Sequence, residues 1–155
     1  MTIWEISEKA DYIAGQHHRL QEAWRSYCNA LVQGVTLSKA RLHHAISGAP
    51  QQQLCFVLFE HFTVYISLTG GFNGHTIEYA IANKESDERR VIAKAQLTVD
   101  GKVDGAFSVS DREKVLDHYL CKIASVYDNL YAAMAADRPV NLTTLANNAH
   151  APALA

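Results

Sequence analysis

The stretch LCFVLFEHFTVYISL, Leu54–Leu68, constrains the fold more than any other part of the chain. Leu54, Phe56, Leu58, Phe62, Val64, Ile66 and Leu68 recur at every second position, and only Glu60 interrupts the row. Successive side chains of a strand point to opposite faces, so this row predicts a strand with one fully apolar side. The other side carries Cys55, Val57, Phe59, His61, Thr63, Tyr65 and Ser67, apolar early and polar late. A face that apolar needs an apolar layer laid over it.

Two helical stripes can supply that layer. Ile6, Ala10, Ile13, His17, Leu20, Trp24, Tyr27 and Leu31 step by four and three, predicting a helix near residues 5–33. Thr2-x-x-Glu5 is a capping pattern at its start, and Gly34 is placed to end it in a left-handed conformation. Leu116, Leu120, Ile123, Tyr127, Leu130 and Met134 form the second stripe, flanked by Val115, Tyr119 and Val126. Ser110-x-x-Glu113 would open that helix and Pro139 would stop it. Between Gly34 and Gly48-Ala-Pro50, a short helix capped by Thr36 or Ser38 is expected.

The remaining strands are read at His75–Ala82, Val91–Val99 and Val103–Val109, separated by Gly70–Gly74, by the charged loop Asn83–Arg90 and by Asp100-Gly101. The expected architecture is α+β: a three- to four-stranded antiparallel meander covered by long N- and C-terminal helices, in the order α-α-β-β-β-β-α. One domain over residues 1–142 would be followed by a flexible tail, 143–155. A chain of 155 residues can bury about 70% of the surface its unfolded form exposes.

Composition excludes several classes of function. A net charge of −2 gives no electrostatic case for nucleic acid or for an acidic membrane surface. The first residues, MTIWEISEKADYIA, do not have the pattern of a signal peptide. No apolar run approaches the roughly 20 residues of a membrane helix. Cys28, Cys55 and Cys121 lack metal or redox spacing, which suits a cytoplasmic chain with reduced thiols.

Candidate chemistry is sparse. His118-x-x-Cys121 puts two soft ligands on one helix face, but a closed zinc site takes four. Cys55 and His61 are the residue types of a thiol nucleophile and its base. They lie six residues apart on one strand face, about 20 Å if extended. Gly70–Gly74 is neither a P-loop nor a dinucleotide fingerprint. No metal, cofactor or catalytic residue is expected. The apolar stripes could also serve as coiled-coil seams, so a homodimer is an alternative to packing on the sheet.

Ser26–Ile46 can be aligned with a helix-turn-helix, with Gly34 in the turn and Lys39 and Arg41 on the recognition helix. Asn29, Gln33 and His43 then fall where that motif wants apolar residues. Lys39, Arg41, His43 and His44 nonetheless concentrate basic groups on a slightly acidic chain, which suits the steering of a protein partner.

Several long strings carry a family resemblance: MTIWEISEKADYIA, YCNALVQGVTLSKARLHHA and DREKVLDHYLCKIASVYDNLYAA, with LCFVLFEHF and HTIEYAI between them. In order over about Met1–Leu142, they resemble the HycA family of formate hydrogenlyase regulatory proteins. The likeness weakens over residues 84–106 and after Leu142. It implies a cytoplasmic bacterial regulator that represses the formate hydrogenlyase regulon and opposes its formate-responsive, enhancer-binding activator. It transfers no catalytic or ligand-binding residue. The expected mechanism is anti-activation by protein–protein contact through Lys39, Arg41, His43 and His44. The alternative is a DNA-binding repressor that uses the helix-turn-helix-like segment near 26–46.

Overall fold

The structure, a computed structural model, describes residues 1–47, 53–84 and 88–147. Helix α1 (Ile3–Leu37) leads into a five-stranded sheet: β1 (His44–Ser47), β2 (Gln53–Leu58), β3 (Phe62–Thr69), β4 (Thr76–Asn83) and β5 (Arg89–Gln96). A two-stranded hairpin, β6 (Lys102–Val103) and β7 (Phe107–Ser108), precedes α2 (Arg112–Ala135) and α3 (Leu142–Asn147). The sheet is an antiparallel meander in the order β1-β2-β3-β4-β5. The α+β class and the helix–sheet–helix arrangement are as expected. Gly48–Pro50, the middle of the charged loop and the residues after Asn147 lie outside the described residues.

Leu54–Leu68 is a hairpin and not a single strand. Phe59 and Glu60 take left-handed φ values of 53° and 59°, and the His61 amide donates to the Leu58 carbonyl at 3.0 Å. Leu58 and Phe62 then stand opposite each other. They are four positions apart in sequence, an even number, so the alternation keeps its phase through the turn. Leu54, Phe56, Leu58, Phe62, Val64 and Ile66 all end on the covered face, joined by Ile77, Tyr79 and Ile81 of β4. The opposite face stays half-buried, with Arg89 lying over the Tyr65 ring at 3.6 Å.

In β5 the phase does slip. The register shifts between Tyr79 and Ala80, so that Tyr79 opposes Ala93 while Ala80 opposes Val91. A bulge of this kind sends one extra residue across the sheet. Ile92 is therefore buried and Val91 exposed. The expected third strand ends at Gln96. Beyond it Leu97 bridges to Val103, and the fourth strand is reduced to the β6–β7 hairpin.

Helix α1 starts as read, with Thr2 Oγ1 accepting from the Glu5 amide at 3.2 Å. It does not stop at Gly34. Gly34 is buried inside the helix, where a Cβ would sit 3.2 Å from Leu116 Cβ of α2. The glycine thus serves close helix–helix approach and not termination. Gly34→Leu is expected to force α1 and α2 apart at a cost of about 1–3 kcal/mol, the range for overpacking. Urea unfolding followed by far-ultraviolet circular dichroism would measure the loss.

The expected short second helix is absent, and this corrects the element order. Leu37 ends α1, Ser38 turns extended, and His44–Ser47 pairs with Cys55–Leu58 as an edge strand. The local sequence fits either state, and pairing with β2 decides it.

α2 is capped by Asp111, whose side chain accepts from the Lys114 amide at 3.2 Å, and not by Ser110. It ends well before Pro139. The Arg138 amide donates to Ala133 and the Asp137 amide to Met134, with Asp137 in the left-handed position of a Schellman motif. Val115, Tyr119, Ile123 and Val126 are the buried line; Leu116 and Leu120 flank it, and Met134 is exposed. The expected tail begins inside α3, which buries Leu142 and Leu145 against the core.

A length mismatch shapes the molecule. At 1.5 Å per residue, the 35 residues of α1 span about 52 Å, whereas an eight-residue strand spans roughly 27 Å. The sheet therefore covers only part of α1, from about Leu20 to Leu31, and residues 3–15 are all exposed.

Candidate functional site

The segment Ser38–His43, between α1 and β1, gathers the basic residues singled out by the sequence. Ser38 Oγ accepts from the Ala40 amide at 3.1 Å, a local bond that competes with helix continuation. Lys39 and Arg41 are exposed on this linker. His43 is exposed too, at φ 56°, with its ring stacked on Phe59 at 5.5 Å and its carbonyl accepting from the Phe59 amide at 3.1 Å. The linker is thereby fastened to the β2–β3 turn.

His44 turns the other way. Its Nε2 lies 2.7 Å from the Tyr119 hydroxyl, and its Nδ1 lies 3.2 Å from the Leu42 carbonyl and 3.0 Å from the Tyr127 hydroxyl. Tyr127 also donates to the Leu42 carbonyl at 2.8 Å. Desolvation lowers the His44 pKa and outweighs the Leu42 carbonyl, which would raise it. Burial likewise pushes the Tyr127 hydroxyl up to about 12. His44 is thus a neutral, half-buried link between the edge strand and α2, and the exposed group narrows to Lys39, Arg41 and His43.

Beside this linker runs a groove of about 730 Å³ between the β2–β3 turn and the C-terminal part of α2, lined by Phe59, Phe62, Tyr127, Leu130, Tyr131 and Met134 among others. Tyr131 is 77% exposed, Met134 72% and Phe59 43%, so the apolar surface is open to water. Phe59 and Tyr127, in edge contact at 5.9 Å, belong both to the groove and to the linker's anchorage. Sequence reasoning placed Phe59 in a strand and Met134 in the core stripe. The usable signal was the stripe's own drift, since Tyr131 lies one position off it.

Residues 26–46 do not form a helix-turn-helix. The first helix persists to Leu37, and an extended linker and a strand follow it. Cys55 and His61 do not meet either. The chain turns back between them, but Cys55 stands opposite Tyr65 and His61 lies in the turn beyond Leu58, about 10 Å further along the strand. Cys28 is buried, with its thiol pushed up to about 12 by desolvation, the condition of a core residue and not of a nucleophile.

His118 is engaged by Asp104, Nε2 to Oδ2 at 2.8 Å, while Cys121 is exposed. Burial would raise the Asp104 carboxyl, but bonds from His118 and the Gln96 amide, with the Lys122 charge, hold it below the usual value. Among the described residues no group of three or more His, Cys, Asp and Glu side chains is placed to hold a metal. No helix among them is long and apolar enough to cross a membrane.

The chain is 62% identical over 145 residues to the formate hydrogenlyase regulatory protein HycA of Escherichia coli K12, covering 94% of this chain and 95% of that one. The proteins of the same name from Escherichia coli O157:H7 and Shigella flexneri match to the same extent. No solved structure matches it. A family model described as the transcriptional repressor of the hyc and hyp operons matches residues 1–146. The chain belongs to this HycA family of transcriptional repressors.

Proposed function

We propose that the chain represses formate hydrogenlyase operons as a cytoplasmic, non-catalytic anti-activator. It binds the formate-responsive, enhancer-binding activator through the linker Ser38–His43 and the adjoining groove. One observation carries this reading. Lys39 and Arg41 stand exposed next to an open apolar groove on a chain of net charge −2. Protein interfaces combine an apolar centre with a charged rim. A duplex-binding surface would instead need many cations on phosphates and an element to enter a groove. The segment that the direct DNA reading would use as a recognition helix is a linker and an edge strand.

The charge reversal Lys39→Glu, Arg41→Glu should leave thermal unfolding unchanged, because both side chains are exposed. Binding to the purified activator should weaken, mainly through a slower on-rate at low salt, and repression should be relieved. Mobility-shift assays on the promoter region, with and without the activator, separate the two mechanisms. A shift by the protein alone that this variant abolishes would favour direct DNA binding. Full repression by a folded variant that still binds the activator would remove the linker from the interface.

A further inference from the structure

The exposed half of α1 carries a seam that nothing covers among the described residues. Ile3, Ile6, Ala10 and Ile13 step by three and four, and the same phase continues through His17 into Leu20, Trp24 and Leu31. This is the 3.5-residue repeat of a coiled coil. Beyond His17 the seam is sealed by the sheet: Leu20 and Trp24 are 1% and 3% exposed, and Tyr27 bonds Tyr79 of β4. Before His17 it is open, with Ile3 at 73%, Ile6 at 52% and Ile13 at 51%. A helix of roughly this length without tertiary contacts is marginal in water, yet it presents three isoleucines in a line.

We propose that the same segment of a second copy covers this seam, in an antiparallel helix pair over residues 3–13. A parallel partner is blocked. Past Ile13 each helix would run on into the sheet that occupies the other's seam face. Antiparallel pairing avoids this, because each exposed half continues in line with the other copy's sheet.

The register is self-complementary. A two-fold axis beside Glu8 sets Ile3 against Ile13 of the second copy and Ile6 against its Ala10, a large residue facing a small one. Such an isologous contact closes at two copies. The flanks suit a like partner as well: Ser7, Ala14 and Gln16 are uncharged, while Glu5, Glu8 and Asp11 lie away from the seam. Lys9, the charged flank, meets its counterpart across the axis, and Glu5 one turn before it on the same helix offsets part of that repulsion. Each chain offers on the order of 500 Å² from its isoleucines, Ala10 and the neighbouring stems, so the pair reaches roughly the 1,000 Å² of a specific interface.

Sedimentation velocity of the full chain tests it. At about 100 μM, two decades above a micromolar dissociation constant, the wild type should sediment as a dimer. Ile6→Glu and Ile13→Glu should each sediment as monomers with unchanged circular dichroism, since neither side chain touches the core. Orientation is read by Ser7→Cys in a background with Cys55→Ser and Cys121→Ser. Ser7 lies close to the axis on the same side in both antiparallel copies, so oxidation should give a covalent dimer. In a parallel pair the two would face opposite sides. A wild type that stays monomeric, a dimer that survives Ile13→Glu, or a dimer that Ser7→Cys fails to cross-link would each overturn the proposal.

Discussion

Trp24→Ala should lower the unfolding free energy by about 3–5 kcal/mol, the upper range for truncating a buried aromatic side chain. Trp24 is 3% exposed, stacks on Tyr27 at 5.6 Å and stands with Leu20 opposite Leu68 of β3. It lies where α1 first meets the sheet, so the cavity would open at the start of the sealed part of the seam. Leu120→Ala should cost only about 1 kcal/mol, because Leu120 packs at the edge of the core and not within it. Ile13→Ala, on the same stripe as Trp24, should change the unfolding of the monomer by less than about 0.5 kcal/mol. Urea titrations followed by far-ultraviolet circular dichroism at low protein concentration would rank the three. Equal losses for Trp24→Ala and Ile13→Ala would mean that the exposed half of α1 is not exposed in solution.

That contrast marks what can be read from residues alone. The stripe of α1 is continuous in sequence, and no residue on it announces where the sheet ends. The boundary comes from the mismatch between a helix of 35 residues and strands of at most eight. The alternation in Leu54–Leu68 was legible, but its turn was not. Phe59 and Glu60 adopt left-handed φ without the Asn-Gly or Asp-Gly that normally signals it. Gly34 signals a helix end by every local rule and is used instead for the approach of Leu116. His44–Ser47 became a strand through pairing with β2, a contact that local propensity does not encode. At the candidate site, Lys39, Arg41 and His43 could be found by charge. The burial of His44 and the groove beside it required the packing of α2.

His44 gives the second large expectation. His44→Ala should destabilise the protein by about 2–4 kcal/mol, because it removes packing and leaves the buried Tyr119 hydroxyl without its acceptor. The groups facing the ring are Phe56 of β2, the Leu42 carbonyl of the linker, and Tyr119 and Tyr127 of α2. None of these carries a charge near neutral pH. With Nδ1 bearing the proton toward Leu42, Nε2 accepts from Tyr119. Protonation would put a second N–H against that hydroxyl and force its own proton away from the ring.

Desolvation holds the folded-state pKa below the ordinary value of 6.5. The unfolded chain therefore takes up this proton first. The contribution of the neutral ring to stability is complete above about pH 6.5 and declines as pH falls toward the depressed folded value. Asp104, also held low, adds a separate loss only below the ordinary carboxylate value of 3.8. The thermal unfolding temperature of the wild type should accordingly fall as pH drops below about 6.5. In His44→Gln the slope attributable to this ring should vanish, while the loss near pH 3 to 4 persists. An unchanged slope in His44→Gln would place the titrating group elsewhere, and a wild type that gains stability on acidification would reverse the sign argued for His44.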